Sequence, residues 1–144
     1  MYRNILVPTD GSDITRNAVT TAVSLAKLTG AKLTVISAKE PFPYSAISEM
    51  QPVPPQEFYD AQERIASARV KDALEAATAA GVECVPLTVE ALHPWEAITE
   101  TAKSQGCDLI VMASHGRRGM SALLLGSETQ KVLTHCTTPV LVVK

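Results

Sequence analysis

Short apolar runs alternate with helix-patterned segments along the whole chain, and this alternation restricts the fold more than any other feature. Ile5-Leu6-Val7 is closed by the turn formers Pro8-Thr9-Asp10-Gly11-Ser12. A continuous apolar run of this kind suits a strand buried on both faces. Ser12 or Asp13 is suited to cap the next helix, with Ala18, Ala22, Leu25 and Leu28 at helical spacing and Gly30 as its stop. Leu33-Thr34-Val35-Ile36 reads as the second strand. Residues 39–55 hold Pro41, Pro43, Pro52, Pro54 and Pro55, so a loop is expected there. Its length exceeds that of an ordinary connection and points to a functional or mobile excursion.

The helical pattern resumes at Gln56, with Ala66, Val70, Ala73, Leu74 and Ala77 on one face and Gly81 as its end. Val82 to Val89 reads as the third strand, and Pro86, which lacks a ladder donor, places it at a sheet edge. His93-Pro94 opens a helix that buries Trp95, Ile98 and Ala102. Leu109-Ile110-Val111-Met112 forms the fourth strand. A glycine-rich loop follows, then a helix carrying Leu125, Thr129, Val132 and Leu133, then the strand Pro139-Val140-Leu141-Val142-Val143. The pattern predicts a single α/β domain over residues 1–144: a doubly wound, five-stranded parallel sheet with helices on both faces. Right-handed crossovers favour the order 3-2-1-4-5.

Composition narrows the function classes. The chain has 144 residues, is 46% hydrophobic and carries a formal charge of −2, so it has no electrostatic footprint for nucleic acid or an anionic membrane. No apolar run approaches the roughly 18–20 residues of a membrane span. The opening Met1-Tyr2-Arg3-Asn4 lacks the features of a secretion signal. Three widely spaced cysteines, Cys84, Cys107 and Cys136, point to free thiols and a cytoplasmic location. His93, His115 and His135 have no metal-ligand spacing, so no metal site is expected.

Ligands of open doubly wound sheets bind beyond the carboxyl ends of the strands, where the strand order reverses. That crevice lies between the first and fourth strands. Residues Pro8 to Ser12 and the loop Ala113-Ser114-His115-Gly116-Arg117-Arg118-Gly119 converge on it. Glycines permit close backbone approach, and the helix start at Gly126-Ser127-Glu128 offers amides and a partial positive charge to phosphate. Arg117 and Arg118 add a cationic edge, and Asp10 can accept from ribose hydroxyls. The ligand class is a phosphorylated molecule, with a nucleotide the best fit. The loop is neither GxxxxGK[ST] nor GxGxxG. His115 has no sequence-adjacent catalytic partner, since Ser114 is expected to point elsewhere, and it is read as loop architecture. Asp10-Gly11-Ser12 also reads as a plain turn and cap, and the two arginines as solvated surface.

At these residues the chain resembles the universal stress protein family. Asn4-Ile5-Leu6-Val7-Pro8-Thr9-Asp10-Gly11-Ser12 is similar to its opening strand and turn, Asp108 to Gly116 to its fourth strand and loop, and Pro139 to Val143 to its closing strand. Its ATP-binding members carry Gly, two residues, Gly, nine residues, then Gly and Ser or Thr. Gly116, the nine residues Arg117 to Leu125, and Gly126-Ser127 match the second part, while Ala113 replaces the first glycine. The resemblance implies a Rossmann-like fold, with Pro8, Thr9 and Asp10 flanking adenine and ribose. Ser37, at the end of the second strand, would stand beside the base, where an aliphatic residue is commoner. Ala113, Gly116, Gly126 and Ser127 would surround ribose and phosphates, with Arg117, Arg118, Gly119 and Glu128 completing the site.

ATP is the implied ligand, with ADP or AMP as alternatives and Mg²⁺ as companion. Val140, Leu141, Val142 and Val143 at a free sheet edge imply a homodimer, in line with the physics of an unpaired strand. The resulting reading is a homodimeric regulatory or protective stress-response module with unidentified protein partners and at most slow hydrolysis. A nucleotide-free interaction module and a slow ATPase or autokinase are the alternatives.

Overall fold

The computed structural model describes residues 1–43, 55–117 and 124–144. The strands are β1 (Asn4–Pro8), β2 (Lys32–Lys39), β3 (Cys84–Glu90), β4 (Leu109–Ala113) and β5 (Val140–Val143). The helices between them are α1 (Asp13–Thr29), α2 (Gln56–Ala79), α3 (Pro94–Ser104) and α4 (Ser127–His135). All strand pairs are parallel and the order is β3-β2-β1-β4-β5, the predicted doubly wound sheet with β3 at one edge and β5 at the other.

Alternation along each strand divides the interior in two. Ile5 and Val7 of β1, Leu33 and Val35 of β2, and Leu109, Val111 and Ala113 of β4 face α1 and α2. Leu6, Ile36, Ile110 and Met112 face α3 and α4, where Ile98, Ala102 and Val132 cover them. Helix α1 buries Ala18, Ala22 and Ala26, a row of small side chains four apart that lets the helix lie close to the sheet. Leu28, expected on the same face, is 83% exposed, because it stands two residues past buried Ala26 and so on the opposite side of the helix.

Several boundaries move from their expected places. β2 runs three residues past Ile36, through Ser37, Ala38 and Lys39, because the whole of Leu33–Lys39 pairs with Cys84–Glu90. β3 starts at Cys84 instead of Val82. Leu125 precedes α4 and Leu133 lies on its outer side, so Thr129 and Val132 alone fill the buried face of that helix. Of the expected proline-rich excursion, residues 44–54 lie outside the described residues.

A polar lock stands at the amino end of the central strand. Buried Asn4 donates through Nδ2 to the Gln105 carbonyl at 2.9 Å and accepts from the Thr34 hydroxyl at 2.9 Å. Asp108 accepts from the Asn4 amide at 3.1 Å and the Arg3 amide at 2.9 Å. These bonds hold β1 against β2 and β4, which sets where its carboxyl end lies.

Candidate functional site

The β1–α1 and β4–α4 connections leave neighbouring strands toward opposite faces of the sheet, which opens the crevice expected at a reversal of strand order. The first connection is tied down internally. Thr9 donates its amide to the Ile36 carbonyl at 2.9 Å, its hydroxyl stands 3.2 Å from that of Thr15, and the Gly11 amide donates to Thr9 Oγ1 at 3.2 Å. Gly11 adopts φ +79°, a conformation costly for any side chain, and Arg69 of α2 fills the space where its Cβ would stand. Ser12 occupies the N-cap position of α1 without capping through its side chain.

Asp10 organises the site. Its Oδ1 accepts from the Ser12 amide at 2.9 Å and the Thr15 hydroxyl at 3.0 Å, while Oδ2 accepts from the Arg117 amide at 2.6 Å. Arg117 also returns Nη2 to the Asp10 carbonyl at 3.0 Å. Burial opposes ionisation of this carboxyl, but the bonds from Ser12, Arg117 and Thr15 outweigh it and hold the group below its ordinary value of 3.8. Asp10 is therefore an anion at neutral pH, and its first task is to hold the β4–α4 loop.

The loop glycines are explained by close approach. A Cβ on Gly116 would stand 2.9 Å from Asp10 Oδ2, and one on Gly126 would meet His115 Cα at 3.0 Å and the Ser114 carbonyl at 3.3 Å. The Gly126 amide donates to that same carbonyl at 2.7 Å, closing the loop on itself at the N-cap of α4. The first-turn amides of such a helix have no partner within it. Ser127 stands exposed at the first position of α4.

Ala113, in place of the family's first glycine, ends β4 with negative φ and packs its methyl into the core beneath α1, so nothing in its backbone requires glycine. Thr129 secures it from the helix side, donating to the Ala113 carbonyl at 2.9 Å. Pro8 closes β1 half-buried. Ser37 lies inside β2, 1% exposed, and its Oγ has no hydrogen-bond partner among the described residues. Arg118 and Gly119 lie outside the described residues.

Two relationships differ from expectation. Glu128 turns to the other helix pair: its Oε2 accepts the Trp95 amide at 2.8 Å and so serves as the N-terminal cap of α3. Trp95 in turn stacks on His135 at a centroid distance of 4.7 Å. Ser114 does not point away from His115; its hydroxyl stands 3.2 Å from His115 Nδ1. No carboxylate joins that pair among the described residues, so it lacks the third member of a nucleophilic triad. Sequence reasoning missed Arg69, whose placement depends on how α2 crosses the sheet.

A cleft of about 360 Å³ near Lys27, Gly30, Lys32 and Glu83 lies at the opposite end of the sheet from these loops. Among the described residues no helix is long and apolar enough to cross a membrane, and no group of three His, Cys, Asp or Glu side chains gathers for a metal. The three cysteines are free, and burial raises the thiol pKa of Cys84 and, with a smaller contribution from Asp108, of Cys107.

Comparison with known proteins supports the same assignment from a separate direction. The model of the Universal stress protein family matches residues 1–144. A universal stress protein of Thermus aquaticus, from the QAH/OAS sulfhydrylase 3′ region, is 34% identical over 144 residues, with all of both chains covered. Among solved structures, the hypothetical protein MJ0577 superposes with a TM-score of 0.84 at 26% identity, covering 100% of this chain and 96% of its own. A universal stress protein in complex with cAMP superposes at 0.76 with 28% identity, covering 99% and 97%. With its strand order, its crevice loops and a full-length family match in agreement, the chain belongs to the universal stress protein family.

Proposed function

We propose that this protein is a single-domain, cytoplasmic, ATP-binding universal stress protein that works as a homodimeric regulatory or protective module. The observation that carries this reading is the Asp10–Arg117 lock, which sets the Gly116 loop beside the N-terminus of α4 at the strand-order reversal. The relative in complex with cAMP supports a nucleotide as ligand.

The residues present fit such a ligand. Ser37 lies beneath the base, its buried hydroxyl without a partner among the described residues at a desolvation cost of about 1–3 kcal/mol. Pro8, Thr9 and Asp10 flank base and ribose. Ala113, whose methyl is absorbed by the core, lies with Gly116, Gly126 and Ser127 around ribose and phosphates. Amides at the start of α4 and the Arg117 and Arg118 side chains balance phosphate charge. Mg²⁺ accompanies the triphosphate. Hydrolysis is slow at most, because Asp10 is committed to three donors and Glu128 to α3. The free edge of β5, with Leu141 40% exposed, is the dimer surface, and binding changes what the dimer presents to protein partners.

One observation favours a second reading, a nucleotide-free interaction module. Gly116 and Gly126 are accounted for by contacts within the chain, so their presence does not require a ligand. Calorimetric titration of nucleotide-stripped protein with ATP and Mg²⁺ decides between the two. The expected result is a dissociation constant of about micromolar order. Ser127→Glu, which suits the positive end of α4 but repels phosphate, weakens it at least about tenfold. No heat from folded wild type would establish the nucleotide-free module instead.

A further inference from the structure

Two guanidinium groups from distant parts of the chain approach Gly11. Arg69 of α2 brings its Nε, and Arg117 of the β4–α4 loop its Nη2, each to 3.5 Å from the point where a Cβ of Gly11 would stand. The two nitrogens are thus at most twice that distance apart. Arg69 reaches this position because its Cγ lies 3.1 Å from the same point, its stem passing directly over the glycine. Neither guanidinium forms an ion pair among the described residues.

Among the described residues the nearby acids make no direct ion pair with them. Asp13 pairs with Arg16 at 3.1 Å. Asp10 spends its carboxylate on the Ser12 and Arg117 amides and the Thr15 hydroxyl, while the Arg117 side chain goes to a backbone carbonyl. One carboxylate, that of Asp10, stands beside two cationic groups and is already committed to three donors, so an anion would complete the charge balance of the site. Planar guanidiniums with several donors each match the oxygens of a phosphoryl group.

We propose that Arg69 and Arg117 form a two-arginine clamp for a phosphoryl group, and that α2 thereby becomes part of the ligand site. The clamp deepens the nucleotide reading above and rests on it for the identity of the molecule that carries the phosphate. Since α2 also covers β2 and β3, phosphate held by Arg69 ties the ligand to the face of the domain opposite α4.

The test is a set of titrations with adenosine, ATP and inorganic tripolyphosphate, using wild type, Arg69→Gln and Arg69→Lys, each checked by thermal melting. Gln keeps the methylene that packs over Gly11, so the fold is expected to survive. Arg69→Gln is expected to weaken ATP and tripolyphosphate by about tenfold to a hundredfold, the range for a charge-assisted hydrogen bond, and to leave adenosine unchanged. Lys restores part of the loss.

Equal ATP affinity in wild type and Arg69→Gln overturns the clamp and leaves the nucleotide site standing. Equal weakening of adenosine and ATP overturns the phosphoryl assignment. Tripolyphosphate binding that depends on Arg69, with adenosine unbound and ATP no tighter, supports the clamp with a free polyphosphate as its source and sinks the nucleotide reading. No binding of any of the three overturns both.

Discussion

The Asp10 carboxylate and the Arg117 amide meet at 2.6 Å across 107 positions of sequence, joining the end of β1 to the loop that follows β4. Removing the acceptor in Asp10→Ala leaves the amides of Ser12 and Arg117 without it. The expected loss is about 1–3 kcal/mol of stability, with faster amide exchange at Arg117 and weaker ATP binding. Unchanged exchange at Arg117 would show that the loop is held by something else.

The same carboxyl sets an acid response. Its folded-state pKa lies below the ordinary 3.8, so the unfolded chain binds the proton more readily. The contribution of Asp10 is therefore complete above that value and is lost as pH falls through the lower folded-state value. Melting temperatures between about pH 5 and about pH 2 should fall more steeply for wild type than for Asp10→Asn. Parallel curves would contradict the assignment.

Gly126→Ala places a methyl against the backbone of His115, which cannot yield as a side-chain tip would. Overpacking of this kind costs about 1–3 kcal/mol, and chemical denaturation should show it. Gly116→Ala presses instead on Asp10 Oδ2, and it should disturb the amide resonance of Arg117 before it disturbs the melt.

Glu128→Ala should behave as the loss of a helix cap, costing about 0.5–2 kcal/mol of stability. Its ATP affinity should match wild type, since the carboxylate serves α3. A selective loss of ATP binding with an unchanged melt would return Glu128 to the ligand site.

Ser37→Ala removes a buried hydroxyl that has no partner among the described residues, so the free protein should be as stable as wild type or slightly more so. ATP affinity should stay within about twofold of wild type, since the hydroxyl presents no surface to a ligand. A clear fall in ligand-free stability would mean that the hydroxyl is satisfied within the chain.

Leu141→Lys puts charge on the free edge of β5, and equilibrium sedimentation should then find monomers where wild type gives dimers. Identical masses for the two proteins would move the dimer surface elsewhere or remove it.

The architecture was legible in the chain because its determinants are local and periodic. Runs such as Ile5-Leu6-Val7 and Leu109-Ile110-Val111-Met112 must be covered on both faces, the segments between them carry helical spacing, and crossover handedness then leaves few strand orders. Pro86 marked an edge for an equally local reason, its missing donor. The convergence of Asp10 with Gly116 followed from topology alone, since adjacent strand ends bring their loops together.

What only the tertiary structure decided are the partners of individual polar groups. Glu128 caps α3, Ser37 is buried without a partner among the described residues, and Gly126 is small because His115 presses on it. Arg69 reaches Gly11 through the crossing of α2 over the sheet, a contact that no period along the chain encodes. Apolar burial follows a repeat that one strand or helix displays by itself, whereas a hydrogen bond or a close approach depends on where two distant elements place single atoms.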